Sequence, residues 1–486
     1  MNAFNKEKYL KLQSEKILER ISQFDNKLYL EFGGKIFDDY HASRVLPGFE
    51  ADSKINMLKK IKDKVEVIIA ISSLDIESNK VRGDLDTTYE NEVLRLINAF
   101  KEIGFELSNV VITKYNHDKS VDVFKQKLEN MGIKVYLHYP IEGYPYNVSK
   151  IISDEGYGKN EYVETTKPLV VVTAPGPGSG KMAVCLSQLY HDSIRGIMSG
   201  YAKFETFPVW NLTLKHPLNL AYESATTDLN DFNEVDPFHL EAYNQITTNY
   251  NRDVEAFPVL KEMFVRMYGK SPYNSPTDMG VNMIGFCIED EEAVKEACRR
   301  EVCRRYLDSL CNQKNGKVDQ SVVDKNFSIM KQLDTNVEDR KCVVAARNKS
   351  ETNNGIPAVA IELNDGTIIT GKQSQALSAT GAAIINALKH YAGISDRLKM
   401  ISPKVINPMK SLKTEYLGRH VGRLNASEVL LALSISQATN SFVEEALPYL
   451  KELSNTEAHS THFLSYDDEK TLKRLNIHIT KDPVYL

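Results

Sequence analysis

The residues best suited to chemistry lie together in Ala174-Pro175-Gly176-Pro177-Gly178-Ser179-Gly180-Lys181. The apolar run Leu169–Thr173 leads into this loop, and a helical pattern from Gly180 to His191 follows it. Gly176, Gly178 and Gly180 let the backbone turn its amides inward with no Cβ in the way. A helix N-terminus adds unpaired N–H groups and partial positive charge, and Lys181 adds a mobile full charge. With Ser179, these residues suit a phosphate, a nucleotide or another small dense anion. They are the ligand-binding candidates. The plain alternative is a Gly/Pro-rich turn needed only for packing, with a solvated lysine.

The loop resembles a Walker A loop and departs from it twice. Pro175 stands where the leading glycine would fall, and Met182 where the magnesium-binding Ser or Thr would fall. Anion binding is therefore expected more strongly than triphosphate hydrolysis. Lys203 and Glu205 follow an expected strand at 199–203, so they are placed near its carboxyl end, able to pair with each other or to meet the same ligand. Arg252 is a candidate clamp for a phosphate or carboxylate. Asp278 is a candidate acid, base or magnesium ligand, although helix capping explains it equally well. Capping is also expected of Asp253 and of Asp236, which precedes Pro237.

His216, Asp236, His239 and Glu241 fall in one stretch, but the histidines lack the i, i+4 spacing of a helical zinc pair, and no metal site is expected. Weaker signals are Gly33-Gly34-Lys35, the tyrosine-rich stretch 153–167, and Gly371-Lys372-Gln373-Ser374, a possible second anion turn. His459 and His462 are expected on an exposed helix. No Gly-x-Ser-x-Gly elbow is present, so no covalent hydrolase is argued.

The elements that must position these residues alternate. Strands are expected at 27–32, 65–71, 110–113, 133–137 and 169–173, with helices at 53–62, 88–103, 121–130 and 180–191 between and after them. Such alternation implies an α/β fold: a Rossmann-like, mostly parallel sheet with helices on both faces. A polar, aromatic insertion occupies about 205–275. Residues 1–285 are expected to form the phosphate- or nucleotide-binding-type domain, and 286–335 a helical linker or oligomerisation arm. A smaller C-terminal α/β domain with a helical tail fills 336–486. Within it, strands are expected at 342–346, 358–363 and 367–370, with Asn364-Asp365-Gly366 as a hairpin turn.

At 486 residues the chain is too long for one core. Its net charge of −5, without long blocks of one sign, argues against a nucleic-acid partner or an anionic membrane surface. No apolar run is long enough to span a bilayer, and Met1–Arg20 lacks the apolar core of a secretory signal. Six cysteines without a Cys-x-x-Cys pair fit free thiols in a reducing, cytoplasmic setting.

Several stretches carry a family likeness: SDEGYG, VETTKP, VVVTAPGPGSGKMA, AKFETFPVWNL, DPFHLEAY, NYNRDVEAFP and SPTDMGVN. The chain resembles the domain-of-unknown-function 1846 family of bacterial proteins over essentially its whole length. That resemblance implies a Rossmann-like N-terminal domain, a companion C-terminal domain and a homo-oligomer, with a hexamer as one form. It carries over no activity and no catalytic residue. Two functions stay open: an enzyme acting on a phosphorylated small molecule or nucleotide, and a non-enzymatic oligomeric sensor or assembly protein holding an anion.

Overall fold

The computed structural model describes residues 3–37, 39–82 and 87–485. The chain divides into two compact units, Met1–Cys298 and Arg299–Leu486. In the first, six parallel strands build one sheet: β1 (Leu28–Phe32), β2 (Val65–Ser72), β3 (Glu106–Thr113), β4 (Lys134–Leu137), β5 (Leu169–Thr173) and β6 (Gly200–Phe204). Strand β2 reads VEVIIAIS and is buried at every position. Such a strand shows no polar alternation because helices cover both sides of a parallel sheet. Flanking helices include α1 (Tyr89–Glu102), α2 (Lys119–Asn130), α3 (Lys181–Ile194) and α4 (Asn251–Tyr268).

The spatial order is β4-β3-β2-β5-β1-β6. Strands β2 and β5 are neighbours whose onward connections leave in opposite directions. From β2 the chain moves outward to β3, and from β5 it passes β1 to reach β6. Ligands of open α/β sheets bind at such a switch point, outside the carboxyl ends of the strands. The Gly-rich loop is the β5 exit, so the topology places it there.

The insertion after β6 contains a helix, Pro217–Ala225, and a short antiparallel ribbon of β7 (Asn233–Val235) and β8 (Thr248–Tyr250). The helix Pro237–Tyr243 lies between the ribbon strands in sequence, and Asp236 caps it through the N–H groups of Phe238 and His239, as expected.

In the second unit a four-stranded sheet has the order β10-β9-β11-β12. Its strands are β9 (Ala358–Glu362), β10 (Ile368–Lys372), β11 (Glu457–Ser460) and β12 (His478–Lys481). The Asn364-Asp365-Gly366 turn joins β9 to β10, with Gly366 at φ +83° and its N–H bonded to the Leu363 carbonyl. Helix Ala379–Tyr391 packs its apolar side into a core shared with Val359, Ile361, Val429 and Leu433.

Two expectations for this unit need correction. Residues 342–346 are helical, within Lys341–Glu351, and not a strand. Cys342, Val343 and Ala346 are its buried positions, a spacing that matches one helix face. The tail also contains two strands, β11 and β12, that sequence patterning missed. His459 lies on β11 and is fully buried, with Nδ1 2.9 Å from Thr480 Oγ1 and Nε2 3.3 Å from Asp482. Burial also lowers the His462 imidazole to about 4, so neither histidine sits on an exposed helix. All six cysteines are buried and none forms a disulfide. Among the described residues, no helix is long and apolar enough to cross a membrane.

Candidate functional site

The loop between β5 and α3 is held by its own polar groups. Ser179 Oγ donates to the Gly176 carbonyl at 3.1 Å, and Thr113 Oγ1, at the end of β3, donates to the Ser179 carbonyl at 2.8 Å. Gly178 and Gly180 sit at φ +80° and +87°, the left-handed region that glycine tolerates best. The Gly176 and Ser179 carbonyls are thus both taken by hydroxyls of the protein. The helical ladder begins with Val184 N–H to the Gly180 carbonyl at 2.9 Å. Among the described residues, no protein acceptor takes a hydrogen bond from the N–H of Gly176, Gly178, Ser179, Gly180, Lys181, Met182 or Ala183. Lys181 is half-buried and makes no ion pair with a described residue.

Three neighbours complete this seat, and none stood out in the sequence. Tyr89, the first residue of α1, presses its hydroxyl on the loop: a Cβ on Gly176 would lie 2.1 Å from it. The Lys80 ammonium stands 4.8 Å over the Tyr89 ring. Ser72, in register with Thr113, is 1 % exposed, and its hydroxyl has no partner among the described residues. Each residue ends a strand, starts a helix or lies in a loop on the carboxyl side of the sheet. That position is the signal that finds them once the topology is known.

A second cluster sits at the end of β6. Lys203 Nζ is 2.7 Å from both Asp253 carboxylate oxygens and 3.0 Å from Glu205 Oε1. Glu31 on β1 is in register with Lys203 and accepts a 2.6 Å hydrogen bond from the Tyr201 hydroxyl. Glu205 lies flat on the β1 exit, since a Cβ on Gly33 would stand 2.5 Å from its Cγ. Burial alone would lower the Lys203 pKa, but Asp253 and Glu205 more than reverse this and hold it charged. Glu205 moves the other way. Burial pushes its carboxyl up, Lys203 pulls it down and Asp253 pushes it up again, with the balance at about 7.

Lys203, Glu205 and Asp253 line a small cleft of about 40 Å³ together with Met182, Asn249 and Thr277. Met182 is the second residue of α3, so the cleft and the Gly-rich loop share a wall. The sequence placed Lys203 and Glu205 together, and their ion pair is present. Asp253 was expected as a helix cap. It lies instead in the first turn of α4, which starts two residues earlier at Asn251, and it takes the Lys203 ammonium. Arg252 is engaged by Asp231 at 2.6 Å. Asp278 closes a capping box with Ser275 and accepts from the Tyr243 hydroxyl at 2.9 Å, so its capping role is the one realised. His216 accepts from the Leu218 N–H through Nδ1, and His239 Nδ1 is 2.9 Å from Ser275 Oγ. Among the described residues, no group of three or more His, Cys, Asp or Glu could hold a metal ion.

A parallel, doubly connected α/β sheet with a glycine-rich exit at its switch point defines a Rossmann-like protein, joined here to a smaller α/β unit. The chain belongs to the DUF1846 family: residues 2–334 match "Domain of unknown function DUF1846, N-terminal" and residues 338–486 its C-terminal companion. It is 54 % identical over 483 residues to a UPF0371 protein of Streptococcus thermophilus strain CNRZ 1066, covering 99 % of this chain and 98 % of the relative. A UPF0371 protein of Streptococcus pneumoniae strain Hungary19A-6 is 53 % identical over the same length, with the same coverage.

Proposed function

We propose that this protein binds a phosphorylated small molecule or nucleotide at Gly176–Lys181, in the cytoplasm, a reducing setting that suits six cysteines without a disulfide. The observation that carries the reading is that the N–H groups of Gly176 and of Gly178 through Ala183 donate to no described protein acceptor, beside Lys181, which makes no ion pair with a described residue, at a helix N-terminus. Backbone donors supply geometry, and Lys181 supplies charge. Lys181→Ala is expected to weaken sulfate, phosphate and nucleotide binding by about ten- to a hundredfold while leaving the thermal midpoint in place. Titration calorimetry of both proteins measures this. Equal affinities in two folded proteins would remove the reading.

A second reading is favoured by Met182, whose thioether stands where a magnesium-binding hydroxyl would serve phosphoryl transfer. In it the anion is a structural or allosteric ligand of a homo-oligomer, and nothing is turned over. Light scattering with and without nucleotide, run beside a turnover screen, separates the two. A change of size without turnover supports the second.

A further inference from the structure

We infer that residues 397–423 of the second unit form a docking surface for an anionic lipid bilayer. The surface lies on the bilayer without crossing it, since no helix among the described residues is long and apolar enough to span one. The inference goes beyond the loop reading and uses none of its residues.

The whole-chain charge of −5, which argued against an anionic membrane surface, conceals one strongly basic segment. Residues 397–423 contain seven Lys or Arg and a single acidic residue, Glu415. Lys413 is spent inside the protein: its Nζ lies 2.6 Å from Glu428 Oε2 and donates to the Arg423 carbonyl at 2.6 Å. The other six are Arg397, Lys399, Lys404, Lys410, Arg419 and Arg423, and none forms an ion pair with a carboxylate among the described residues. Arg397, Lys399, Lys404 and Arg419 are exposed, and Lys410 and Arg423 half-buried. Such a surface is complementary to anionic lipid headgroups, to which each nearby cation adds attraction.

Apolar side chains stand among these charges. Within the helix Pro403–Ser411, Val405, Ile406 and Met409 pack against the core that holds Val429 and Leu433. Beyond that helix the chain makes a wider π-type turn, Leu412–Tyr416, and every residue from Thr414 to Val421 is exposed. Tyr416 is 79 % exposed and Leu417 63 %, and Leu412 and Val421 are exposed as well. Lys413 ties the base of this projection to Arg423 and Glu428. The Leu417 N–H bonds to the Leu412 carbonyl at 3.0 Å, and the Arg419 N–H to the Lys413 carbonyl at 2.9 Å. A projection exposed at every position is no groove for a peptide. Its tyrosine and leucine suit the level of the headgroups, where amphipathic and apolar side chains settle while Lys and Arg reach for phosphates. Single-stranded nucleic acid would need several stacking rings beside the cations, and Tyr416 is the one Tyr, Phe or Trp of the segment.

Flotation of the full chain with lipid vesicles tests this, using phosphatidylcholine alone and phosphatidylcholine with phosphatidylserine. The protein should float only with the phosphatidylserine vesicles and should be released as salt rises. Lys410→Ala with Arg419→Ala should weaken binding by about twentyfold, at about fivefold for each charge. Leu417→Asp should weaken it by about tenfold or more, because a carboxylate replaces an apolar side chain that enters the bilayer surface. Both variants should melt at the wild-type temperature, since the changed side chains are exposed or half-buried. Lys181→Ala should bind vesicles as wild type does, which separates a lipid headgroup on this surface from a phosphate in the loop. Absence of flotation with phosphatidylserine, or flotation that Leu417→Asp leaves intact, overturns the inference. Loss of flotation in Lys181→Ala assigns the headgroup to the loop and overturns it too. So does a wild-type protein that ignores vesicles but forms an oligomer that Leu417→Asp breaks in light scattering, since the surface then belongs to a second copy of the chain.

Discussion

Lys203→Met is expected to destabilise the first unit by about 3–5 kcal/mol at roughly pH 8, because it leaves buried carboxylates without their cation. Methionine keeps the length and volume of the lysine stem, so packing changes little. What disappears is the ammonium between Asp253 and Glu205, at 2.7 and 3.0 Å, with Glu31 in register on the neighbouring strand. The loss has a predictable pH dependence. Without Lys203 the folded-state pKa of Glu205, already raised by burial, moves further above its unfolded value. A carboxyl with a raised folded pKa contributes stability that is full below the unfolded pKa and is lost as pH rises through the folded one. The variant should therefore be least stable above pH 7 and should recover toward about pH 5, as its carboxyls protonate. Trp210, the only tryptophan of the chain, lines the same cleft, so its fluorescence in urea reports on this unit directly. Lys203→Met with Asp253→Asn should regain a large part of the loss, since each removes one side of the same pair. A single variant within about 1 kcal/mol of wild type at the higher pH would mean that the cluster is solvated, contrary to its burial.

How far the site could be read from sequence follows from which contacts are local. The Gly-rich loop was legible because its strand, its glycines and its helix are contiguous, so one window contains the whole motif. Lys203 and Glu205 were legible as a pair because they are two residues apart on an extended segment and project to the same side. Asp253 was misread because its partner is 50 residues away, on an element whose placement follows from sheet topology. Thr113, Ser72 and Tyr89 were missed for the same reason. Strand order decides that the ends of β2 and β3 meet the exit of β5, and local periodicity carries no information on order. In the second unit, residues 342–346 read as a strand because five apolar or small residues in a row fit both periods. The tail strands were missed because β11, Glu-Ala-His-Ser, and β12, His-Ile-Thr-Lys, each have a single aliphatic residue among polar ones.

The limits of motif reading are clearest where two Gly-Lys pairs met the same logic and different folds. Gly180-Lys181 ends a loop and opens a helix; Gly371-Lys372 lies inside β10. Lys372 there bonds to Asn353 Oδ1 at 2.5 Å. Gly371 serves close packing: a Cβ would stand 2.2 Å from the Ala383 nitrogen and 2.7 Å from the Ala379 carbonyl oxygen. Both are backbone atoms of the helix Ala379–Tyr391 and cannot swing aside as a flexible side chain would. The helix must lift off the sheet or β10 must shift, and either movement opens the core at Val359, Ile361 and Ala383. Gly371→Ala is therefore expected to destabilise the second unit by about 2–4 kcal/mol, at or above the usual range for overpacking by one methyl. Sulfate affinity should be unchanged, because the proposed anion seat belongs to the first unit. Hydrogen exchange of the Ala379–Tyr391 amides, measured beside sulfate calorimetry, tests both halves. Faster exchange with wild-type affinity supports this assignment. Native exchange with weakened sulfate binding would restore Gly371-Lys372 as an anion turn and overturn the packing account.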